Sequence, residues 1–236
     1  MTDNERAKQA AGWAAVDQLV KPGMKLGLGS GSTAIHCVHR TSELYKSGKL
    51  PGLVVVATSF DTEIACREGG LALKTLNDPE IAGHLDLAID GADEIDPHLN
   101  LIKGGGAAHL WEKIVAQAAD DFVVVADESK LVDSLCRKFF LPVEIIPTAM
   151  TFVERKIRSL GGLPQLRRGS GKLGPVVTDM GNFIFDVKFS RDFNLLKMGA
   201  DLNTIAGVVE TGLFLGMASQ AFIAQSDGSV RILVAN

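Results

Sequence analysis

Residues 24–34 read MKLGLGSGSTA, an apolar run that passes directly into a glycine-rich turn and the start of a helix. The turn Lys21-Pro22-Gly23 comes immediately before this run, so the apolar segment 24–28 is bounded on both sides by turn residues. A short bounded apolar run followed by a helical pattern is typical of α/β folds. The stretch therefore predicts a strand, a tight turn and a helix.

The same alternation extends outward from this stretch in both directions. We predict helices at about 4–20, 32–45, 61–67 and 107–119, and strands at 24–28, 53–56, 71–76, 85–89 and 122–126. Strands that alternate with helices indicate a doubly wound, mostly parallel, Rossmann-like sheet. In such sheets ligands bind beyond the carboxyl ends of the strands.

The pattern changes after residues 141–147. A helix at 149–160, a hairpin of residues 176–178 with 183–187 and a helix near 193–205 indicate an α+β arrangement, with residues 161–174 as a flexible insertion. We therefore expect a smaller α+β domain at 137–210. Residues 1–136 and 211–236, which end in two strands around Asp227-Gly228, are expected to form the Rossmann-like domain.

Composition excludes several classes of protein. The 236 residues carry a net charge of −4 without a basic block, so we expect no nucleic-acid partner. No apolar run reaches the roughly 20 residues of a membrane span. Three cysteines without C-x-x-C spacing argue against a disulfide framework and a thiolate metal site, and favour the reducing cytoplasm.

The glycine-rich turn at residues 27–34 predicts an anion site, because free backbone N–H groups and the helix dipole favour negative charge there. The hydroxyls of Ser30, Ser32 and Thr33 suit a terminal phosphate. Read from Gly29, the run also fits the dinucleotide pattern Gly-x-Gly-x-x-Ala, with Asp61 as its ribose-binding acid. A tight turn with no ligand is the third alternative.

Four carboxylates follow the predicted strand 85–89, within residues 90–96. Crowded carboxylates disfavour one another's ionisation, so one of them could hold a proton near neutral pH. The spacing lacks a calcium-loop pattern or paired histidines, and we expect no metal. Asp90 and Asp93 are the functional candidates, whereas Glu94 and Asp96 are expected to lie in a solvated turn.

A lysine–glycine loop, KGGGAA at residues 103–108, runs into the next predicted helix. The Lys103 ammonium is suited to stabilise an anion or a developing oxyanion. On the helix, Glu112 has apolar neighbours at i−4, i+3 and i+4, which would raise its pKa and make it a plausible base. An ordinary surface pair of Glu112 with Lys113 is the alternative.

Five motifs, GSGST (29–33), DGADE (90–94), KGGGAA (103–108), EK (112–113) and ADESK (126–130), together resemble ribose-5-phosphate isomerase of the A type. The resemblance continues through GWAA (12–15), LPVEIIP (141–147), VVTD (176–179) and GVVETGLF (207–214), in the same order along nearly the whole chain. Residues 58–61 follow the family's serine-rich segment only loosely.

The resemblance implies an aldose–ketose isomerase without metal or cofactor, which interconverts ribose 5-phosphate and ribulose 5-phosphate through an enediol in the pentose phosphate pathway, and a homo-oligomer, commonly a dimer. By matching position, Glu112 is the base. For the reaction so implied, Lys103 is our candidate for the oxyanion partner, and we expect Asp90 or Asp93 to assist ring opening. The residues implied to line the sugar phosphate are Ser30, Gly31, Ser32, Thr33, Asp90, Gly91, Ala92, Asp93, Lys103, Gly104, Gly105, Gly106 and Lys130.

Two other classes of protein share parts of these patterns. A sugar-phosphate sensor of a bacterial regulator would carry a DNA-binding helix-turn-helix module, for which the short N-terminal helix leaves no room. A nucleotide-dependent oxidoreductase would use the turn at 29–34 for a dinucleotide and would bind NAD(P) saturably.

Overall fold

A computed structural model of the protein describes residues 3–169, 171, 173–189 and 194–235. Its helices are α1 (Asp3–Leu19), α2 (Ile35–Lys46), α3 (Phe60–Glu68), α4 (His109–Ala118), α5 (Met150–Ser159) and α6 (Leu195–Asn203). Its strands are β1 (Lys25–Leu28), β2 (Val54–Ala57), β3 (Leu73–Lys74), β4 (Leu85–Asp90), β5 (Glu94–Ile95), β6 (Leu101–Ile102), β7 (Ala119–Asp127), β8 (Leu141–Ile145), β9 (Leu163–Leu166), β10 (Phe183–Lys188), β11 (Val208–Thr211), β12 (Leu213–Phe214), β13 (Gln220–Ala224) and β14 (Val230–Val234). No helix among the described residues is both long and apolar enough to cross a membrane.

A seven-stranded sheet with the order β14-β13-β7-β4-β1-β2-β3 forms the main body, and this confirms the predicted Rossmann-like fold. All neighbours in it are parallel except the β13–β14 pair. The chain runs outward from β1 through β2 to β3 and then returns to place β4 on the other side of β1. The carboxyl ends of β1 and β4 therefore border the crevice in which such sheets bind ligands.

Helices cover both faces of this sheet because its central strands are apolar on both sides. Leu26 and Leu28 of β1 pack in one core with residues of α1 and α2. On the opposite face, Ala88 of β4 and Val124 of β7 pack with Val115 of α4. Helix α4 is thus held directly beneath the crevice.

A second, antiparallel sheet with the order β11-β8-β10-β9 forms the smaller α+β domain. Val153 and Ile157 of α5 and Leu202 of α6 share its core with Phe185 of β10. A three-stranded sheet, β12-β6-β5, lies at the segment that carries the lysine–glycine loop.

The predicted hairpin of residues 176–178 with 183–187 is wrong. Residues 176–178 form no strand, and β10 pairs instead with β8 and β9. Strand β9 lies inside the stretch expected to be a flexible insertion. Its Pro164 conceals the strand signal, and an edge strand tolerates proline because one side needs no ladder hydrogen bonds. The predicted last helix forms as α6, while Phe193, its expected first residue, lies outside the described residues.

Candidate active site

A cavity of about 330 Å³ opens in the crevice between the ends of β1 and β4. The glycine-rich turn, the acidic loop and the lysine–glycine loop form its walls, with α4 at its base and the smaller domain at its rim. Its lining residues are Ser30, Gly31, Ser32, Thr33, Ser59, Asp61, Gly91, Ala92, Asp93, Lys103, Gly104, Gly105, Gly106, Ala108, Glu112, Lys130 and Asp179. The structure thus brings together all the residues predicted from the sequence except Asp90, which lies behind the wall.

The glycine-rich turn is fixed by the Asp90 carboxylate. Asp90 Oδ1 accepts hydrogen bonds from the backbone N–H groups of Ser30 (3.1 Å) and Gly91 (2.7 Å). A Cβ atom on Gly29 would lie 2.0 Å from the same oxygen, so the close approach of the two strand ends requires glycine at this position. The turn therefore holds its place because a buried carboxylate accepts a hydrogen bond from its Ser30 amide, and its small residues line the cavity.

Three charged side chains meet at the base of the cavity, although they lie on separate elements. Lys103 Nζ is 3.2 Å from Asp90 Oδ2 and 3.2 Å from Glu112 Oε2. The ammonium also donates a hydrogen bond of 2.6 Å to the carbonyl oxygen of Gly91. Glu112 Oε1 accepts a hydrogen bond of 2.9 Å from the hydroxyl of Ser30. One lysine therefore serves two carboxylates, and all three side chains are at least nine-tenths buried.

Burial governs the protonation of this cluster. It raises the pKa of Glu112 to about 7; the Lys103 ammonium opposes the rise and the Asp90 carboxylate adds to it. Burial likewise raises the pKa of Asp90, against the effect of Lys103. For Lys103, burial alone would lower the pKa, but the two carboxylates outweigh it and the pKa is raised. The fully ionised cluster would bury one net negative charge, so it takes up a proton close to neutral pH.

The alternative interpretation of Glu112 as half of a surface pair is wrong. Both Glu112 and Lys113 are buried, and they face different surroundings. Lys113 Nζ donates hydrogen bonds of 2.7 Å to Glu210 Oε1 and to the carbonyl oxygen of Thr211. Glu112 is left to face the cavity and Lys103.

The lysine–glycine loop presents its backbone to the cavity. Gly104 has a φ of 111°, in the left-handed region that favours glycine. The Gly105 N–H donates a hydrogen bond of 2.7 Å to Asp93 Oδ2, and a Cβ atom on Gly105 would lie 2.6 Å from Asp93 Oδ1. The glycines thus allow the loop to come within hydrogen-bonding distance of a carboxylate that lines the cavity.

The expectation that Glu94 and Asp96 lie in a solvated turn is also wrong, because both side chains are buried. Glu94 accepts three backbone hydrogen bonds, from Cys136 (2.5 Å), Lys138 (2.5 Å) and Phe139 (2.8 Å). Asp96 accepts from the backbone N–H groups of His98 and Asn100 and from the Asn100 side chain. These carboxylates anchor loops, since the backbone groups that they satisfy would otherwise be buried without a partner.

Sequence reasoning missed Ser59 and Asp179 as cavity residues, and considered Asp61 only as a ribose-binding acid. Asp179 belongs to the smaller domain, and its Oδ2 accepts a hydrogen bond of 2.9 Å from the backbone N–H of Phe60 at the start of α3. The family resemblance was the available signal: residues 176–179 match the family pattern, and residues 58–61 follow its serine-rich segment loosely. Their meeting at one rim depends on a contact between residues 119 positions apart.

The arrangement is suited to moving a proton. A buried carboxylate with a pKa near neutrality is a good general base, and a fixed ammonium beside it can stabilise negative charge that develops on a bound oxygen. The described residues contain no cluster arranged to hold a metal ion, that is, no group of three or more histidine, cysteine, aspartate or glutamate side chains.

The family model for ribose 5-phosphate isomerase A (phosphoriboisomerase A) matches residues 54–228. A protein named ribose-5-phosphate isomerase A from Treponema denticola is 47% identical over 238 residues, 98% of this chain and 100% of that protein. A solved ribose 5-phosphate isomerase A from Methanocaldococcus jannaschii superimposes with a TM-score of 0.91 at 39% identity, over 98% of this chain and 99% of the other. A second solved structure, a D-ribose-5-phosphate isomerase in complex with phospho-erythronic acid, has a TM-score of 0.93 at 38% identity, over 99% and 100% of the two chains. On the family model and on relatives that match over nearly their whole length, this chain belongs to the ribose 5-phosphate isomerase A family.

Proposed function

We propose that the protein interconverts D-ribose 5-phosphate and D-ribulose 5-phosphate through an enediol intermediate, without a metal or cofactor. The observation that carries this proposal is the buried Glu112 carboxylate, 3.2 Å from the Lys103 ammonium and directed at a cavity with a glycine- and serine-rich wall. Family membership and a relative whose structure contains a phosphorylated sugar acid support it.

In the open-chain aldose, the hydrogen on C2 lies next to the C1 carbonyl and is only weakly acidic. The Glu112 carboxylate takes this proton, and the electron pair that is released forms the C1–C2 double bond while negative charge collects on O1. The Lys103 ammonium stabilises that charge. The proton on O2 then passes to O1, which becomes the C1 hydroxyl, and return of the proton from Glu112 to C1 leaves the C2 carbonyl of the ketose. The Ser30 hydrogen bond orients the base for both transfers.

The phosphate binds at the glycine-rich turn, whose residues Gly31, Ser32 and Thr33 line the cavity and supply hydroxyls and backbone amides. Lys8 of α1 extends the same site, because its Nζ donates a hydrogen bond of 3.1 Å to Ser32 Oγ. Lys130 adds a second cation to the cavity wall. The phosphate thus fixes one end of the substrate and places its C1 and C2 atoms beside Glu112 and Lys103 at the base of the cavity.

The two aspartates of the acidic loop have different roles in this mechanism. Asp93 lines the cavity, so it bonds the sugar hydroxyls and assists ring opening. Asp90 is only 2% exposed and contacts Lys103 and the Ser30 amide of the turn, so it acts on the substrate through them. Asp90 fixes the charge of Lys103 and raises the pKa of Glu112.

A coupled assay with ribose 5-phosphate tests the reaction, and the isosteric variant Glu112→Gln tests the base. We expect this variant to lose exchange of the substrate's C2 proton with solvent while its affinity for the sugar phosphate stays within about tenfold, about 1.4 kcal/mol. The same change at the exposed Glu68 of α3 is the matched control and should leave turnover unchanged. Near wild-type exchange in Glu112→Gln would remove Glu112 as the base.

The wider setting is also a prediction. We propose a homodimer in the cytoplasm that serves the pentose phosphate pathway, with residues 137–210 as the smaller domain. The thiols of Cys37, Cys66 and Cys136 are free, as is usual in a reducing compartment. Light scattering coupled to size-exclusion chromatography measures the oligomeric state, and a mass of one chain would contradict the dimer.

A further inference from the structure

Arg167, the residue directly after β9 in the smaller domain, extends to the lysine–glycine loop of the active site. Its Nη1 donates a hydrogen bond of 2.7 Å to the Gly104 carbonyl oxygen and a longer one, 3.3 Å, to that of Gly105. Its Nε and Nη2 donate to the two carboxylate oxygens of Asp186 on β10, at 2.9 and 2.5 Å. The two-point contact with Asp186 holds the guanidinium plane, so the remaining nitrogen is directed at the loop.

The Gly104 carbonyl and the Gly105 N–H belong to the same peptide group. The carbonyl accepts from the Arg167 guanidinium, and the N–H donates to Asp93 Oδ2 at 2.7 Å. A single peptide therefore lies between a cation and an anion, with its dipole aligned along the line that joins them. Each hydrogen bond polarises the peptide in the direction that strengthens the other.

The surroundings make this chain of contacts effective. The side chain of Arg167 is 13% exposed, so water screens its charge only weakly. The peptide carries no side chain that could separate its N–H from the carboxylate, and a Cβ atom on Gly105 would overlap Asp93. Asp93 itself lines the cavity beside Gly91 and Ala92.

We propose that Arg167 is a positioning residue for the isomerase reaction, which fixes the Asp93 carboxylate through the Gly104–Gly105 peptide. The inference rests on the proposed function, since it assigns Asp93 to the substrate. It also gives the smaller domain a part in catalysis. Asp186 of β10 holds the Arg167 guanidinium, and the guanidinium in turn positions Asp93 of the acidic loop. The competing explanation is that Arg167 only links the two domains mechanically.

A double-mutant cycle separates the two explanations, because coupled residues have non-additive effects. We expect Arg167→Met to lower kcat about 10- to 100-fold, because a displacement of about 1 Å in a catalytic group costs up to about 100-fold, with KM changed less than about threefold. In an Asp93→Asn background, the same substitution should lower kcat by less than about threefold. An equal fold-loss in both backgrounds would overturn the proposal. Arg168→Met is the matched control, since Arg168 is an exposed neighbour outside the cavity, and it should leave kcat unchanged.

Arg167→Lys keeps the charge but cannot bond Asp186 at two points, and we expect it to restore less than half of the lost kcat. Full restoration of kcat by lysine would show that a positive charge on this surface is sufficient for activity without the two-point contact to Asp186. That result would overturn the role of the fixed guanidinium geometry.

A spectroscopic measurement tests the peptide directly and does not depend on activity. Glycine labelled with ¹³C at the carbonyl and ¹⁵N at the amide gives carbonyl–amide correlations only from Gly-Gly peptides, which this chain has at 69–70, 104–105, 105–106 and 161–162. In Arg167→Met we expect the Gly105 amide proton to move upfield while the signals of Gly70 and Gly162 stay in place and report a folded protein. An unchanged Gly105 signal would overturn the proposal. If the wild-type protein has no isomerase activity, the proposed function fails. The Gly105 amide signal would still test the contact of Arg167 with the Gly104–Gly105 peptide.

Discussion

The buried charge cluster makes a quantitative prediction for the variant Asp90→Asn. The substitution removes one negative charge and keeps the shape of the side chain, so the contact with Gly29 is preserved. The amide oxygen of asparagine can still accept the hydrogen bonds that Asp90 Oδ1 receives from the Ser30 and Gly91 amides. Because the Asp90 carboxylate raises the pKa of Glu112, its removal should lower that pKa.

The distances give the size of the effect. Asp90 Oδ2 and Glu112 Oε2 each lie 3.2 Å from Lys103 Nζ, so the two oxygens are at most about 6.4 Å apart. At that separation and an effective dielectric constant of about 20, two unit charges interact by about 2.6 kcal/mol. This corresponds to about two pKa units. The pKa of Glu112 should therefore fall from about 7 towards about 5.

The assay is the pH dependence of kcat/KM for ribose 5-phosphate. A general base acts only when it is ionised, so activity rises with pH through the pKa of Glu112 and its acid limb should move to lower pH in Asp90→Asn. The maximal rate should also fall, because a weaker base accepts a proton less readily. The substrate's phosphate ionises with a pKa of about 6 in both enzymes, so the difference between the two profiles cancels its contribution.

Asp133→Asn, the same change at an exposed position outside the cavity, is the matched control and should leave the profile in place. An acid limb that stays where it is in Asp90→Asn, or that moves to higher pH, would refute the electrostatic reasoning. Either result would mean that Asp90 does not raise the pKa of Glu112 through its charge.

Three further predictions concern packing, anchoring and metals. Gly29→Ala should lower kcat/KM at least about 100-fold, because its Cβ would force apart the strand ends at Asp90. Gly171→Ala is the control, since a Cβ there meets no atom of the described residues within 4 Å, and an equal effect of both variants would contradict the packing argument. Glu94→Gln should lower the free energy of unfolding by about 2–3 kcal/mol, because the amide group of glutamine cannot accept all three backbone hydrogen bonds. Urea denaturation measures this, and an unchanged unfolding midpoint would contradict an anchoring role. Exhaustive chelation should leave isomerase activity intact, and a loss restored by one particular cation would show that the carboxylates bind a metal.

Much of the fold follows from local sequence periodicity. The alternation of apolar strands and amphipathic helices in the first 126 residues predicted the parallel sheet, because the two side-chain periods are set by the backbone geometry of each element. The smaller domain was harder to predict. Strand β9 contains Pro164 and lies on a sheet edge, so neither its composition nor its alternation distinguished it from a loop.

The sequence by itself determined which loops form the candidate site. The turn after β1 and the acidic loop after β4 both follow strands of the predicted parallel sheet, and the carboxyl ends of such strands share one edge. Their direct contact depends on the strand order, in which β1 and β4 are neighbours. Only the tertiary structure separated residues that look alike in the sequence. It placed Asp93 on the cavity and Asp90 behind it, and it directed Glu112 into the site while Lys113 pairs with Glu210.

The physical reason is that burial and ion pairing depend on groups far apart along the chain. Ser30 and Glu112 are 82 residues apart, and Arg167 and Gly104 are 63 apart, yet each pair is joined by a hydrogen bond. A carboxylate takes its pKa from the low-dielectric surroundings and charges that the fold assembles around it. Residue type and spacing specify the chemical groups that are available, whereas the packed structure decides which of them holds a proton, which fixes a loop and which faces the substrate.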